Sequence, residues 1–180
     1  MKSHHPFSAL SLCVVAVAGF ASSASAELIR NGNFNGFLHW GRFGPSNDSG
    51  TNPGNYYYNG NPQGSGVFQE FATEAYATYT FSFNLRNDAT GTAGNNSAVV
   101  TFGNQTVLNL INQGTSADFT TYSFQAQTAG PFTTIRFSFT NGSSQWHLTN
   151  VSVTGPSVPA PGALAVLGLA GLTGGRRRRA

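Results

Sequence analysis

The sequence predicts an all-β protein: one antiparallel β-sandwich, preceded by a signal peptide and followed by a short apolar helix. Three observations predict it. Several segments between residues 27 and 155 alternate apolar and polar side chains, the pattern of a strand buried on one face. No helical period runs through that interval. Gly and Asn interrupt it at even spacing, as the turns of a sandwich require.

In chain order, Leu28-Ile29 reads as a short first strand. Gly41 to Gly66 reads as one long irregular stretch, broken by Gly44-Pro45, Asn52-Pro53-Gly54 and Gly64-Ser65-Gly66. A loop of that length inside a compact domain usually carries function. Val67 to Phe71 is the next strand. In Thr78 to Arg86, Tyr79, Phe81, Phe83 and Leu85 share one face. Ala98 to Phe102 and Thr106 to Leu110 form a hairpin through Gly103-Asn104-Gln105. Thr120, Tyr122, Phe124 and Ala126 line one face of a further strand, and Thr133, Ile135, Phe137 and Phe139 line another. Trp146 to Val153 is the last, for seven or eight strands in all. No period of 20–50 residues repeats, which argues against a solenoid.

The two ends read as addresses. Lys2, the apolar run Ala9 to Ala21, and Ala24-Ser25-Ala26 make a signal peptide over residues 1–26, with signal peptidase expected to leave Glu27 first. The apolar run is shorter than the ~20 residues of a spanning helix, which disfavours a permanent anchor. Residues 156–180 hold three parts: Val158-Pro159-Ala160-Pro161, an uncharged apolar helix over 162–175, and the cluster Arg176, Arg177, Arg178 and Arg179. Fourteen helical residues reach roughly 21 Å, and arginine stems extend that reach by snorkelling. The arginines hold their end in the cytoplasm and leave the preceding domain outside.

Charge follows the same division. The formal charge of the chain is +3, yet residues 27–157 hold four Arg against six acids, a balance of −2. The basicity therefore belongs to the ends, and nucleic acid is excluded as a partner. Only 8% of residues are charged, against roughly 25% in a usual soluble domain. Asn, Thr, Ser and Gln supply the polarity instead. Aromatics at 13% argue against disorder. The single cysteine, Cys13, lies within the expected signal peptide, so no disulfide framework forms.

Proline motif, apolar helix and Arg cluster in that order resemble the PEP-CTERM sorting signal of exported Gram-negative proteins. The resemblance covers about 23 residues and departs at Ala160, where the family usually has an acid. It implies exosortase as a processing partner, transient membrane anchoring, and release to the cell surface or the extracellular space. The middle also resembles a family. Asn31-Gly32-Asn33-Phe34 with Trp40, then Gln69-Glu70-Phe71, Tyr79 to Phe83, Thr121 to Phe124 and Trp146 to Val153 resemble galactose-binding-like jelly rolls, which include carbohydrate-binding modules. That resemblance implies a jelly-roll topology. Many relatives hold a structural calcium near the first and last strands. Here Asn33, Asn35, Thr149 and Asn150 take the corresponding positions, with no carboxylate among them, so calcium is expected to be absent or weak and no cofactor is expected.

No catalytic constellation is visible. His39 and His147 lack metal-motif spacing, and no nucleophile elbow or phosphate loop occurs. Asp48, Glu70, Glu74, Asp88 and Asp118 could include a glycosidase pair, since such pairs are set by space rather than by sequence, but with so few acids each is expected at a turn or on a solvated face. The expectation is a non-catalytic surface or matrix protein, with a carbohydrate-binding module for exopolysaccharide or another glycan as the alternative and a secreted glycoside-acting enzyme ranked below both. Sugars offer C–H faces to rings and hydroxyls to amides. Tyr56, Tyr57 and Tyr58 beside Asn59 and Asn61 supply both, with Trp40 and His39 as secondary candidates. For Trp40, and for at least one of the tyrosines, core packing is the competing role.

Overall fold

The structure, a computed structural model, describes residues 25–156 apart from 54, 89–94 and 143. The signal peptide up to Ala24 and the sorting signal from residue 157 lie outside the described residues. Eleven strands are formed: β1 (Ser25–Glu27), β2 (Gly41–Phe43), β3 (Ser49–Asn52), β4 (Tyr56–Asn59), β5 (Ser65–Ala72), β6 (Thr78–Asn87), β7 (Asn96–Phe102), β8 (Gln105–Ile111), β9 (Thr120–Gln127), β10 (Phe132–Asn141) and β11 (Trp146–Pro156). Among the described residues there is no helix, and none long and apolar enough to cross a membrane.

Two antiparallel sheets face each other. One has the order β3-β4-β11-β6-β9, with β1 also on β11; the other runs β2-β5-β10-β7-β8. β4 pairs with the start of β11, and β1 pairs with its end, so the two share one edge of that long strand. From β5 onward the chain passes back and forth between sheets, and only β3-β4 and β7-β8 are sequential hairpins. This is the jelly-roll sandwich.

The inward faces follow from the alternation in the sequence. Tyr79, Phe81, Phe83 and Leu85 of β6 meet Ile135, Phe137 and Phe139 of β10, all within 2% of complete burial. Phe83 and Phe137 pack edge to face at 5.1 Å, a favoured arrangement of ring quadrupoles. Tyr122 and Phe124 of β9 are half-buried because β9 is an edge strand.

Three expectations are corrected. The long irregular stretch is largely paired: β2, β3 and β4 lie within it. Each is only three or four residues long and rich in Gly, Asn and Tyr, so it carries too few alternations to show a period. The first strand is Ser25–Glu27 rather than Leu28-Ile29, although the Leu28 amide extends the ladder by donating to the Val153 carbonyl at 2.9 Å. Among the described residues the strands number eleven, because these short pieces were unreadable from sequence.

Candidate functional site

The tyrosine run is a strand, and that splits it. In β4, Tyr57 and Asn59 point inward and are buried, while Tyr56 and Tyr58 face outward and stay partly exposed. Register then builds a row across the outer face of the six-stranded sheet. Gly50 of β3 lies opposite Tyr58 of β4, Tyr58 opposite His147 of β11, and His147 opposite Arg86 of β6. Phe119, just before β9, completes the row, with the Arg86 guanidinium 5.0 Å from its ring centroid. Gly50 matters here because a Cβ would stand 2.4 Å from the Tyr58 hydroxyl oxygen: the ring lies across the glycine.

His147 is the centre of the row. Tyr56 stacks flat on its imidazole, with ring centroids 4.3 Å apart and planes 10° from parallel. Arg86 Nη2 donates to His147 Nδ1 at 2.7 Å. A guanidinium has no lone pair to offer, so Nδ1 accepts and the proton sits on Nε2. Nε2 faces Asp88 Oδ2 at 3.3 Å, and Asp88 Oδ1 pairs with Arg86 Nε at 2.8 Å. Burial lowers the His147 pKa; Asp88 opposes the shift and Arg86 adds to it. The imidazole is therefore neutral at neutral pH. With one guanidinium and one carboxylate beside it, the row carries no net charge.

The face thus offers three partly exposed rings (Tyr56, Tyr58 and Phe119) beside neutral or internally paired polar groups. Thr121 Oγ1 donates to Asn84 Oδ1 at 3.0 Å in the neighbouring row, adding hydroxyl and amide groups. From β4 to β9 the row crosses three strand spacings, roughly 14 Å. The other sheet's outer face is closed differently: the Arg136 guanidinium covers the Phe43 ring at 3.4 Å from its centroid.

The remaining sequence candidates lie elsewhere. Trp40 is 6% exposed, stacks on Phe34 at 4.8 Å and donates from Nε1 to the Asn31 carbonyl. It is a core residue. Asn59 and Asn61 are fully buried. Asn59 Nδ2 donates to the Tyr57 hydroxyl and to Ser65 Oγ, both at 2.7 Å, while its Oδ1 accepts from the Asn61 amide. Asn61 in turn holds Asn47 and the Gln63 amide. These amides satisfy loop backbone that would otherwise be buried without partners. None of the three, nor Tyr57, is open to a ligand. His39 is exposed and sits apart from the row, lining a 520 Å³ concavity with Arg30 and Glu70.

At the positions corresponding to a structural calcium, Asn33 and Asn35 are exposed and Thr149 Oγ1 donates to the Asn55 carbonyl. No carboxylate joins them, and among the described residues no group of three His, Cys, Asp or Glu side chains gathers anywhere. This donor set does not fit calcium. Glu27, expected to be the first mature residue, has its carboxylate taken up by the Ile29 and Val153 amides and by Ser152 Oγ. Ser25 and Ala26, on the other side of the expected cleavage point, pair with Pro156 and Gly155.

Arg86 and Phe119 were not singled out from sequence, and His147 and Asp88 were weighed there only as metal and acid candidates, not as parts of a binding face. Arg86 and His147 do fall on the polar side of their strands' alternation. Their meeting was not legible, because they lie 61 positions apart and the chain crosses between the sheets four times on the way.

The architecture is the one found in jelly-roll carbohydrate-binding modules. The CBM4 module is 18% identical with a TM-score of 0.52, covering 72% of this chain and 99% of that chain. The Stig cyclase Fisc from Fischerella sp. TAU, in complex with an indole compound, is 14% identical with a TM-score of 0.52, covering 75% and 100%. An arabinose-bound α-L-arabinofuranosidase is 13% identical with a TM-score of 0.51 over 74% of this chain and 27% of that one. At such identities the likeness establishes the fold alone, and the fold serves both binding and catalysis. No protein-family model and no curated protein matches the sequence.

Proposed function

We propose that the protein is an exported, non-catalytic glycan-binding module, delivered by a signal peptide and an exosortase-read tail to the cell surface or beyond. The observation that carries the binding reading is the outward row Tyr58–His147–Arg86–Phe119 with Tyr56 laid over the histidine. Rings supply stacking surfaces, and the cancelled charge suits a neutral polysaccharide better than an acidic one. The likeness in fold to carbohydrate-binding modules supports this reading over a matrix protein with no discrete site. Catalysis fits the row poorly: the acceptor nitrogen of His147 is held by Arg86, and no nucleophile contacts the imidazole among the described residues. Asp48, Glu70, Glu74 and Asp118 are exposed, and Asp88 is bound to Arg86.

The sorting reading rests on the sequence of the tail. β11 supports it indirectly, since it runs from His147 in the row to Pro156, where the tail begins. Nine strand residues put roughly 30 Å between them, so a protein held by its tail would present the row away from the membrane.

Screening the purified protein on a glycan array tests the binding reading, with saturable binding to at least one neutral glycan expected and a blank array from folded protein contradicting it. Mass spectrometry of the extracellular protein tests sorting. A C-terminus near Val158-Pro159-Ala160-Pro161 is expected; an intact Arg176–Arg179 end would overturn exosortase processing.

A further inference from the structure

A smaller concavity of 260 Å³ lies at the other end of the sandwich, between the β7–β8 turn and the start of β10. It is remote from the row: Gln127, which lines it, pairs with Thr78 at the start of β6, whereas Arg86 lies near that strand's end. Eight residues of strand separate the two, roughly 26 Å.

The cleft is lined by both apolar and uncharged polar side chains. Phe132, 64% exposed, is its most open apolar side chain, and its ring contacts no other ring of the described residues. Asn104, Gln105 and Gln127 also line the cleft, and the side-chain amides of the first two make no hydrogen bond among the described residues. Gln127 Nε2 donates to the Tyr76 carbonyl, leaving Oε1 as an acceptor. Thr133, 5% exposed, forms part of the floor.

The backbone on both sides is anchored. The Gly103 amide donates to the Thr134 carbonyl at 2.8 Å, which docks the turn onto β10. Gly103 has φ +56°, a conformation that a Cβ disfavours, so glycine is what allows this turn to lie there. On the other side, Thr73 receives the loop before Phe132: its amide donates to the Pro131 carbonyl and its hydroxyl to the Gly130 carbonyl, each at 2.8 Å. Thr73 is itself 2% exposed, so the anchor is buried.

We propose that this cleft is a second carbohydrate site, which takes a single terminal sugar ring of a neutral glycan. The inference rests on the glycan-binding reading of the sheet face and adds a separate place and a separate mode. A ring's C–H face stacks on Phe132 while its hydroxyls meet Asn104, Gln105 and Gln127. The volume falls below the ~300–1,000 Å³ that encloses a drug-sized ligand, which limits the occupant to one residue. The anchored backbone reduces the ordering cost of so small a ligand. No formal charge lines the cleft, so an acidic sugar finds no partner.

Saturation-transfer NMR on the full-length protein tests this with methyl α- and β-glycosides of glucose, galactose, mannose and N-acetylglucosamine. At least one glycoside is expected to take up saturation, with affinity reduced at least tenfold in Phe132→Ala and in Gln105→Ala. Both positions are exposed, and an unchanged thermal midpoint confirms that each variant folds. Absence of saturation across the panel overturns the proposal, as does undiminished saturation in both variants. Retention of the same preparations by immobilised polysaccharide reports on the sheet face separately. A silent cleft with a working face is thereby distinguished from failure of both.

Discussion

Tyr56, Tyr57 and Tyr58 show how one repeated residue type takes different roles once it enters a strand. Successive side chains point to opposite faces, so the middle ring must bury when its neighbours stay out. Tyr57 is 1% exposed and its burial raises its pKa. A triple alanine variant of the run would therefore report unfolding rather than lost binding. Asn59 makes the same point for the amides. Asn59→Ala removes two donated hydrogen bonds and one accepted bond at a fully buried site. Urea unfolding should show a loss of about 2–3 kcal/mol. His147 gives a pH signature. Its folded pKa lies below the ordinary 6.5, so between those values the unfolded chain binds the extra proton. Stability contributed by the neutral imidazole is present above about pH 6.5 and is lost as pH falls towards the folded value. Protonation would also put a hydrogen on Nδ1, where Arg86 donates. Urea titrations from pH 7.5 to 5 should therefore fall more steeply for the native protein than for His147→Gln. Parallel curves would contradict the assignment.

At the scale of elements, long strands were legible and short ones were not. β6 and β10 each carry ten residues of unbroken alternation between two turns, and their bounds lie within two residues of those expected. β4 has four residues, three of them tyrosine, and no apolar-polar contrast to read. β11 hides a different feature. Its register slips between Thr149 and Ser152, with Asn150 at φ +51° as the extra residue. This bulge keeps Leu148 and Val151 both inward although they are three positions apart. Gly32 packs so closely there that a Cβ would lie 1.9 Å from the Val151 carbonyl oxygen. On β5, Gly66 is constrained in the same way by the Phe137 carbonyl oxygen at 1.9 Å. Gly66→Ala must push β5 away from β10, and thermal unfolding should show a loss of about 1–3 kcal/mol or more. A neutral substitution would mean that the two central strands are less tightly joined than described.

For the whole molecule, the fold class was readable and the site was only half readable. Alternation declares which side chains face the core, so the sandwich followed from Tyr79, Phe81, Phe83, Ile135, Phe137 and Phe139. Which strands lie side by side is set by the crossovers, and no local pattern encodes them. Tyr56 and Tyr58 could thus be named from composition, whereas Arg86, His147 and Phe119 needed the topology. Charge divides in the same manner: +3 for the chain and −2 for residues 27–157, with a row in which Arg86 and Asp88 cancel. The role proposed for this row is to hold a neutral glycan. Affinity electrophoresis through gels containing neutral polysaccharides tests it, comparing the native protein with Tyr58→Ala and Phe119→Ala at opposite ends of the row. Retardation of the native protein by at least one polysaccharide, weakened tenfold or more in each folded variant, is the predicted result; equal retardation of all three, or none of the native protein, would contradict the claim.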